Sequence, residues 1–338
     1  MKGIILILII LSSLVQRVAG QDIHFSQYDN SPIGLNPALT GDFNGNVRIV
    51  ANHRNQWSCI DVPYLTTATS FDTKLLAGKW QGDALGVGFL IFHDKAGEGG
   101  LQHLQPMACF AYHHRTGKKK NTLLSAGVEG GVFNRWIDYS KLYFGSQFDE
   151  GDFNRALSSN ENETMYNITR FDLTAGGALR IIDKKSEYSI GYSLHHLTRP
   201  DESLLGNKNR IHMNHAVNMD DKIRLSTQFF ITPRLLILSQ NKALEVLPGV
   251  KGIYIIQSTD GNETVLGGAI DLRLKDAFVF TFTLGFVPWQ FGFSYDINYS
   301  TLVPASKSRG GFEISVIYID EWIRGKNDVT NKIPCQRM

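Results

Sequence analysis

Histidine is the residue type with the clearest potential for chemistry in this sequence. The chain contains 10 histidines, and two pairs, His113-His114 and His195-His196, are adjacent. Imidazole nitrogens bind transition metals, so each pair is a candidate metal site. Both pairs lie in segments that we interpret as β-strands, where neighbouring side chains point to opposite faces of the sheet. Neither pair could then bind one ion together, and we expect neither a metal nor another cofactor.

Catalytic patterns are the next candidates. The sequence has no P-loop, no Gly-x-Ser-x-Gly turn, no His-Glu-x-x-His helix and no paired Cys-x-x-Cys. Ser125 and Glu129 would share one face of a strand, but no further residue marks them as a catalytic pair. The cysteines, Cys59, Cys109 and Cys335, allow at most one disulfide, and the sequence leaves open which pair would form it. These observations predict a protein that is not an enzyme.

The elements that carry these side chains alternate between apolar and polar residues along most of the chain. From Phe291 to Ser300, every odd position is aromatic or aliphatic and every even position is Gly, Ser, Asp or Asn. Similar alternation runs from Phe278 to Phe286 and from Phe312 to Tyr318. A period of two is that of a β-strand and does not fit a helix. The pattern predicts an all-β protein.

Two architectures produce such alternation, a soluble sandwich or barrel and a barrel that crosses a membrane. The alternating segments span about ten residues, whereas soluble strands average ~5 to 6 and a tilted membrane strand needs ~9 to 11. Their polar faces carry many charges, which a dry core could not bury. We therefore predict a transmembrane antiparallel β-barrel with a polar lumen and an exterior in contact with outer-membrane lipid. Its charged inward residues would be Glu129, Asp172, Arg180, Asp271, Arg273 and Asp296.

The barrel is predicted to have about 14 strands, with periplasmic N- and C-termini. The connections at 94–103, 133–167, 196–209 and 300–309 would then reach the outer side, where such barrels carry their longer loops. Beyond the first twenty residues, no run of about 18 apolar residues suggests a transmembrane helix. The predicted strands lie near 46–54, 64–73, 83–93, 104–114, 121–132, 168–180, 187–195, 210–219, 223–240, 244–256, 264–273, 277–286, 290–299 and 310–319.

The ends of the chain and its charge complete the domain prediction. Lys2, the apolar run from Ile4 to Leu11 and the small residues before Gln21 are typical of a cleaved export signal at 1–20. Residues 21–45 would form a periplasmic or plug segment, 46–319 the outer-membrane barrel and 320–338 a periplasmic tail. Removing Lys2 and Arg17 from the 34 basic side chains leaves 32, equal to the 32 acidic ones. This balance argues against nucleic acid as a partner.

Several blocks of the sequence resemble the PorP/SprF family of the type IX secretion system. They are QDIHFSQY at 21–28, LNPALTG at 35–41, and the strands at 291–300 and 310–318. The resemblance covers essentially the whole mature chain. It departs from the family at the C-terminus, where the family often has a Cys-Pro-Arg-Phe-like tail and this chain ends in Cys335-Gln336-Arg337-Met338.

The resemblance implies an integral outer-membrane barrel of the type IX secretion and gliding machinery that works with a secreted partner. The implied partners are the C-terminal domain of a cargo protein such as an adhesin, and other secretion components including periplasmic lipoproteins. We expect partner contacts at Phe25, Tyr28, Leu35, Asn36 and Pro37, because the apolar members would be exposed unless they pack into the lumen or onto a partner. Plugging the lumen is the alternative for this segment. A passive channel or hydrophobic-solute transporter is the alternative for the protein.

Overall fold

The computed structural model describes residues 22–320, except 23, 59–61, 81–82, 118–120, 150, 155, 161–166, 205, 207, 258–262 and 302. The strands of this part are β1 (Val47–Gln56), β2 (Tyr64–Trp80), β3 (Asp83–Ala96), β4 (Leu101–Thr116), β5 (Thr122–Trp136), β6 (Phe148–Asp149), β7 (Asp152–Phe153), β8 (Asn167–Ile182), β9 (Ser186–His195), β10 (Asn214–Arg224), β11 (Phe229–Gln240), β12 (Ala243–Gln257), β13 (Glu263–Arg273), β14 (Ala277–Phe286), β15 (Trp289–Asn298) and β16 (Arg309–Asp320). Short α-helices span Pro32–Leu35 and Val303–Ser306, and 3₁₀ turns span Tyr28–Asn30, Pro37–Leu39, Tyr139–Lys141 and Gly145–Gln147.

Fourteen of these strands form one closed antiparallel barrel. Each pairs with the next barrel strand along the chain, and β1 closes the barrel by pairing with β16. The remaining two, β6 and β7, form a small hairpin in the connection between β5 and β8. The predicted fold class and strand number are confirmed. Among the described residues, no helix is long and apolar enough to span a bilayer.

The outer surface of the barrel is apolar, as the alternation predicts. On β14, Phe278, Phe280 and Phe282 expose 43%, 44% and 52% of their surface, and Phe293 on β15 exposes 52%. Exposed rings in such numbers fit contact with lipid chains rather than with water. The predicted inward charges are largely withdrawn from solvent, which confirms the orientation of the strands. They are Glu129, Asp172, Arg180, Asp271, Arg273 and Asp296.

Strand boundaries differ most clearly from the prediction at β2 and β10. β2 was predicted to end at residue 73 but continues to Trp80. The sequence analysis placed a turn at 220–222, but β10 continues through these residues and the turn lies at 225–228. Asp220, Asp221 and Lys222 are typical of a turn. At the end of a barrel strand, however, both faces can meet water, so polar side chains continue the hydrogen-bonded ladder without cost.

The two ends of the barrel carry different connections. One end has the longest ones, 137–166, 196–213 and 299–308, and the other has turns such as 183–185, 225–228 and 287–288. We name these the loop end and the turn end. Three of the predicted outer connections, 133–167, 196–209 and 300–309, thus correspond to long connections at the loop end. The prediction was wrong for the fourth, 94–103, because β3 and β4 extend further and leave only residues 97–100 between them. Which end faces the cell exterior stays a prediction.

The residues before β1 lie inside the barrel. Ser26 hydrogen-bonds to Glu313 on β16, Asn36 to Gly177 on β8, and Asp42 pairs with Arg180, so the segment contacts strands on several sides of the lumen. We name residues 22–46 the plug segment.

The plug segment runs the length of the lumen. At one extremity, the backbone N–H of Asp22 donates to Gln240, the last residue of β11 at the loop end, over 2.6 Å. At the other, the N–H of Asn46 donates to the carbonyl of Asp320 at the turn end over 2.9 Å. The start of β1 and the end of β16 therefore share one end of the barrel, while Asp22 lies at the opposite end. The predicted export signal and nearly all of the predicted tail fall outside the described residues.

Candidate functional site

A buried cluster of charged groups fixes the first residues of the plug segment. The N–H of Ser26 donates to Glu313 over 2.6 Å, and its hydroxyl donates to Asp296 over 3.0 Å. Arg54 pairs with both carboxylates, and Arg273 donates to Asp296 over 3.0 Å and to the Ser26 hydroxyl over 2.7 Å. All five residues are at most 4% exposed. Each buried charge has an opposite partner, which is the condition for keeping ions in a closed lumen.

A second ion cluster binds the middle of the plug segment. Asp29 contacts Arg234 over 2.9 Å and Lys251 over 2.8 Å, and Arg234 also pairs with Asp271 over 2.5 Å. Burial alone would raise the pKa of Asp29, but the charges of Lys251 and Arg234 hold it well below its usual range. Asp29 is therefore an anion that links β11 and β12 to the plug segment.

Glycines on the wall let the plug backbone approach the sheet. Gly127 on β5 and Gly176 on β8 are direct partners in the barrel ladder. A Cβ atom at Gly127 would overlap the Pro37 carbonyl, and one at Gly176 would overlap the Asn36 side-chain oxygen. Asn36 itself donates to the carbonyl of Gly177 over 3.1 Å and accepts from the N–H of Ala38 over 2.9 Å. This part of the wall accepts the plug only because it lacks side chains.

Near the turn end, a third contact fastens the plug segment. Arg48 donates to Asp72 over 2.9 Å and 2.7 Å, and the N–H of Gly41 donates to the same carboxylate over 2.6 Å. Asp42 pairs with Arg180 on β8. The plug is thus anchored along the whole of its path.

Above the plug, the lumen opens into a chamber at the loop end with a volume of about 770 Å³. We name it the loop-end chamber. The plug supplies one side of it through Asp22, His24, Phe25, Tyr28 and Leu35. Wall residues complete it, among them Leu90, Phe92, His103, Met107, Phe133, Arg135, His195, His196, Glu202, Arg210, Asn214, Ala216, Leu236, Leu238 and Lys242. The chamber is a feature of the described residues that could receive another molecule.

At the rim of the chamber, His196 links the start of the plug to the wall. Its Nε2 lies 2.9 Å from Asp22 and its Nδ1 lies 2.6 Å from Asp172. Burial alone would lower the pKa of His196, but hydrogen bonds to Asp172 and Asp22 raise it to about 10. Burial would conversely raise the pKa of Asp22, but His196 lowers it to about 2. The three groups form an ionised acid–base–acid bridge.

The two histidine pairs differ in orientation, and only one of them has the orientation predicted from strand alternation. His113 and His114 point to opposite faces as predicted, with His113 bonded to Ser125 in the lumen and His114 to Asp83 outside. His195 and His196 both line the chamber, because β9 ends at His195 and His196 adopts a left-handed backbone with φ of 57°. Strand alternation no longer applies beyond the strand end. Even so, no group of three or more His, Cys, Asp or Glu side chains among the described residues is arranged so that it could hold a metal ion.

The other residues singled out by chemistry lie apart from one another. Ser125 is bonded to His113, whereas the Glu129 carboxylate lies 3.5 Å from the Cys109 sulfur. Cys109 is a free, buried thiol. Cys59 and Cys335 lie outside the described residues, so a disulfide between them stays a possibility of the sequence alone.

The five predicted partner-contact residues all lie in the lumen. Phe25 and Tyr28 are 6% and 8% exposed, Asn36 is fully buried, Pro37 is buried and Leu35 is half-buried against Tyr28 and Leu236. Partner contact at these positions stays a prediction. Of the five, Phe25, Tyr28 and Leu35 line the loop-end chamber. The chamber itself could not be anticipated from alternation, which says which face a residue is on but not what fills the lumen.

Comparison with known proteins places the chain in a family. Residues 17–318 match the family described as "Type IX secretion system membrane protein PorP/SprF". No curated protein matches the sequence. Among solved structures, the fold is similar to a Pseudomonas aeruginosa FadL homologue, with 12% identity, a TM-score of 0.48, and coverage of 84% of this chain and 92% of that one.

Two further barrels are similar to this chain. The CymD monoaromatic hydrocarbon channel shows 11% identity and a TM-score of 0.47, covering 86% of this chain and 92% of that one. BamA from Haemophilus ducreyi shows 9% identity and a TM-score of 0.39, covering 81% and 70%. The closed barrel and the family match over nearly the whole described chain agree with each other. This chain belongs to the PorP/SprF family of type IX secretion system membrane proteins.

Proposed function

We propose that this protein is a non-enzymatic outer-membrane barrel of the type IX secretion and gliding machinery. It binds a secreted cargo protein, such as an adhesin, through the C-terminal domain of the cargo, and supports its export or its attachment to the cell surface. Other secretion components, including periplasmic lipoproteins, are its further partners. The family match supports a role in type IX secretion. The family is described as a membrane protein of that secretion system, and its description names no enzymatic activity.

The observation that carries the proposal is the plug. Because the chain's own residues 22–46 are anchored through the lumen, a cargo polypeptide that passed through this barrel would have to break the ion pairs that Asp22, Asp29 and Asp42 make with wall residues. Breaking one buried pair costs about 3 to 5 kcal/mol. A role in holding cargo therefore fits the structure better than a role as the conduit. A passive channel, the alternative function, also requires the plug to leave.

The loop end carries a surface suited to such a contact. Tyr143, Phe148 and Phe153 are about half exposed, and the ring of Phe153 lies 5.3 Å from Tyr143 and 5.2 Å from Phe148. Phe148 and Phe153 face each other across the β6–β7 hairpin. Exposed, clustered aromatic side chains are typical of residues that dominate protein interfaces. We name these three residues the hairpin aromatics and propose them as a contact for the cargo.

The test begins with co-purification from solubilised outer membrane. The wild-type barrel should carry one or more secreted proteins, and deletion of its gene should strip the same proteins from the cell surface. Replacing the hairpin aromatics by serine should reduce the amount of bound cargo at least about tenfold, the loss expected when a central interface cluster is removed. The matched control is Lys141→Ser in the same loop, which should leave binding unchanged. An unaltered set of surface proteins in the deletion strain would refute the proposed function.

A further inference from the structure

The floor of the loop-end chamber is apolar. It joins two buried clusters, one containing Phe25, Leu90 and Met107 and the other Tyr28 and Leu236. Phe92 packs against the first cluster with its ring 6.3 Å from Phe25. A concave pocket of a few hundred cubic ångströms with an apolar floor and a few polar groups is the usual form of a small-molecule site. The plug contributes Phe25, Tyr28 and Leu35 to the lining of the chamber.

A band of unsatisfied polar atoms surrounds the upper wall. Within the described residues, His103 Nε2, Arg135 Nε and Asn214 Oδ1 are buried and have no hydrogen-bond partner. These residues lie at the loop-end extremities of β4, β5 and β10, so the three atoms are near the mouth. Tyr28 Oη, on a side chain that is 8% exposed, is likewise without a partner. Buried polar atoms normally have hydrogen-bond partners. These unpartnered atoms therefore indicate a site for a polar group of another molecule.

The mouth carries positive charge that is not neutralised by ion pairing. The chamber acids there are already engaged, Glu202 with Arg135 and Asp22 with His196. Arg210 and Lys242 are exposed chamber residues. Arg210 lies opposite Asp201 in an isolated β-bridge and its charge attracts that carboxylate, whereas Lys242 is in no salt bridge with a described residue. The Arg135 Nε–H adds a donor that has no acceptor among the described residues. The free charge and the donors both favour an anion at the rim.

We propose that the loop-end chamber binds one amphiphilic carboxylate, with its apolar chain on the floor and its carboxylate at the rim near Arg135, Arg210 and Lys242. A fully apolar ligand would leave the polar band unsatisfied, and a cationic one would meet like charge. This site is independent of the cargo contact at the hairpin aromatics. The bound molecule contacts both the plug and the wall, so it stabilises the plugged state.

The test uses the full mature chain in lipid nanodiscs, with displacement of a fluorescent undecanoate as the readout. We expect saturable binding of one dodecanoate per barrel. Dodecanol and dodecyltrimethylammonium should bind at least about tenfold more weakly, because each lacks the charge-assisted hydrogen bonds of the carboxylate. The double variant Arg210→Glu/Lys242→Glu should weaken dodecanoate by a similar factor. Lys275→Glu, in a connection at the same end but outside the chamber, is the matched control and should bind as wild type.

A second variant tests the pocket itself. Ala216→Phe places a ring in the chamber from β10 and should abolish dodecanoate binding while the barrel stays heat-modifiable on gels. If this variant fails to fold, the charge-reversal pair, which alters only exposed side chains, decides the matter. Absence of saturable binding to the wild type, equal affinity for dodecanol, or unchanged binding by the charge-reversal variant would each overturn the proposal. Loss of cargo binding in other experiments would leave it intact.

Discussion

At the scale of single residues, the protein depends on charges that are buried but paired. Arg54 is the clearest case, since it joins Glu313 on the wall, Asp296 on the wall and Ser26 of the plug. A charge removed from such a cluster leaves its partners in a site from which water is largely excluded. The cost is the desolvation of the groups that remain rather than the loss of one contact.

We predict that Arg54→Ala lowers the free energy of unfolding by about 3 to 5 kcal/mol, because two carboxylates remain buried beside each other. Denaturant unfolding of the purified barrel, followed by its shift on unboiled gels, measures the change. Lys141→Ala removes an exposed ion pair with Asp138 and serves as the control, with little change expected. Equal stability of the two variants would show that the cluster does not hold the plug.

The His196 bridge makes a prediction about pH. His196 has a folded pKa of about 10 against 6.5 for the free side chain, so its contribution to stability is complete below pH 6.5 and is lost as pH rises toward 10. Asp22 has a folded pKa of about 2 against 3.8, so its contribution is complete above pH 3.8 and is lost as pH falls toward 2. The bridge is therefore fully stabilising from about pH 4 to 6.5.

We expect the wild-type barrel to lose more stability than His196→Ala between pH 6.5 and 10, since only the wild type loses this proton. Thermal unfolding measured at intervals across that range gives the two slopes. The control is His215→Ala, which removes a histidine bonded to Tyr192 on the exposed face. Parallel slopes for wild type and His196→Ala would mean that His196 is not protonated in the folded protein.

At the scale of elements, glycines decide where the plug can lie. Gly127 and Gly176 face the lumen beside each other, and the turn at Pro37 passes directly over them. A methyl group at Gly177, one residue further along β8, would have only the Ser125 carbonyl oxygen within 4 Å, at 3.7 Å. Gly176 and Gly177 are adjacent on β8, but only at Gly176 would a side chain collide with the plug.

We predict that Gly127→Ala destabilises the barrel by about 1 to 3 kcal/mol, the usual cost of overpacking, since the Pro37 backbone cannot rotate away from the new methyl group. Gly177→Ala is the matched control and should be tolerated. Denaturant midpoints of the two variants provide the comparison. The prediction fails if both substitutions have the same effect.

At the scale of the whole molecule, the plug segment and the barrel act as one body. The segment contacts strands around the lumen and reaches from the turn end to the loop end. This arrangement affects permeation and places Asp22 at the loop end.

We expect the purified wild-type protein to show no steady conductance in planar bilayers, since the plug fills the lumen below the chamber. Gly127→Ala should show more frequent brief openings, and Gly177→Ala should behave as wild type. Steady, ohmic conductance by the wild type would instead support the channel alternative.

A tag placed immediately before Asp22 reports on which side of the membrane the loop end lies. Barrels of this class carry their long loops outside the cell, so the loop end is the expected outer face and the tag should be detected by antibody on intact cells. This expectation differs from the periplasmic N-terminus predicted from strand parity, because the plug segment runs back through the lumen from β1 and places Asp22 at the loop end. A tag after Asp320, at the turn end, should be detected only after the outer membrane is permeabilised. Detection of the first tag only in permeabilised cells would reverse the orientation or show that the plug has left the lumen.

The sequence by itself determined the class of this protein. Alternation over Phe291 to Ser300 and its counterparts predicted fourteen strands, an apolar exterior and a charged interior, because strand geometry ties every second side chain to one face. The blocks at 21–28 and 35–41 pointed to the PorP/SprF family. These are local signals, which can be read one strand or one block at a time.

Only the tertiary structure decided what occupies the lumen. Phe25, Tyr28 and Asn36 were candidates for partner contact or for a plug, and their local sequence is compatible with both. Their place depends on wall residues far along the chain, Met107 for Phe25, Leu236 for Tyr28 and Gly176 for Asn36, which come together only when the barrel closes. The loop-end chamber arises in the same way, since its walls are shared by the plug and several strands. Such long-range contacts leave no periodic pattern in the sequence, because they form only when the sheet closes into a barrel.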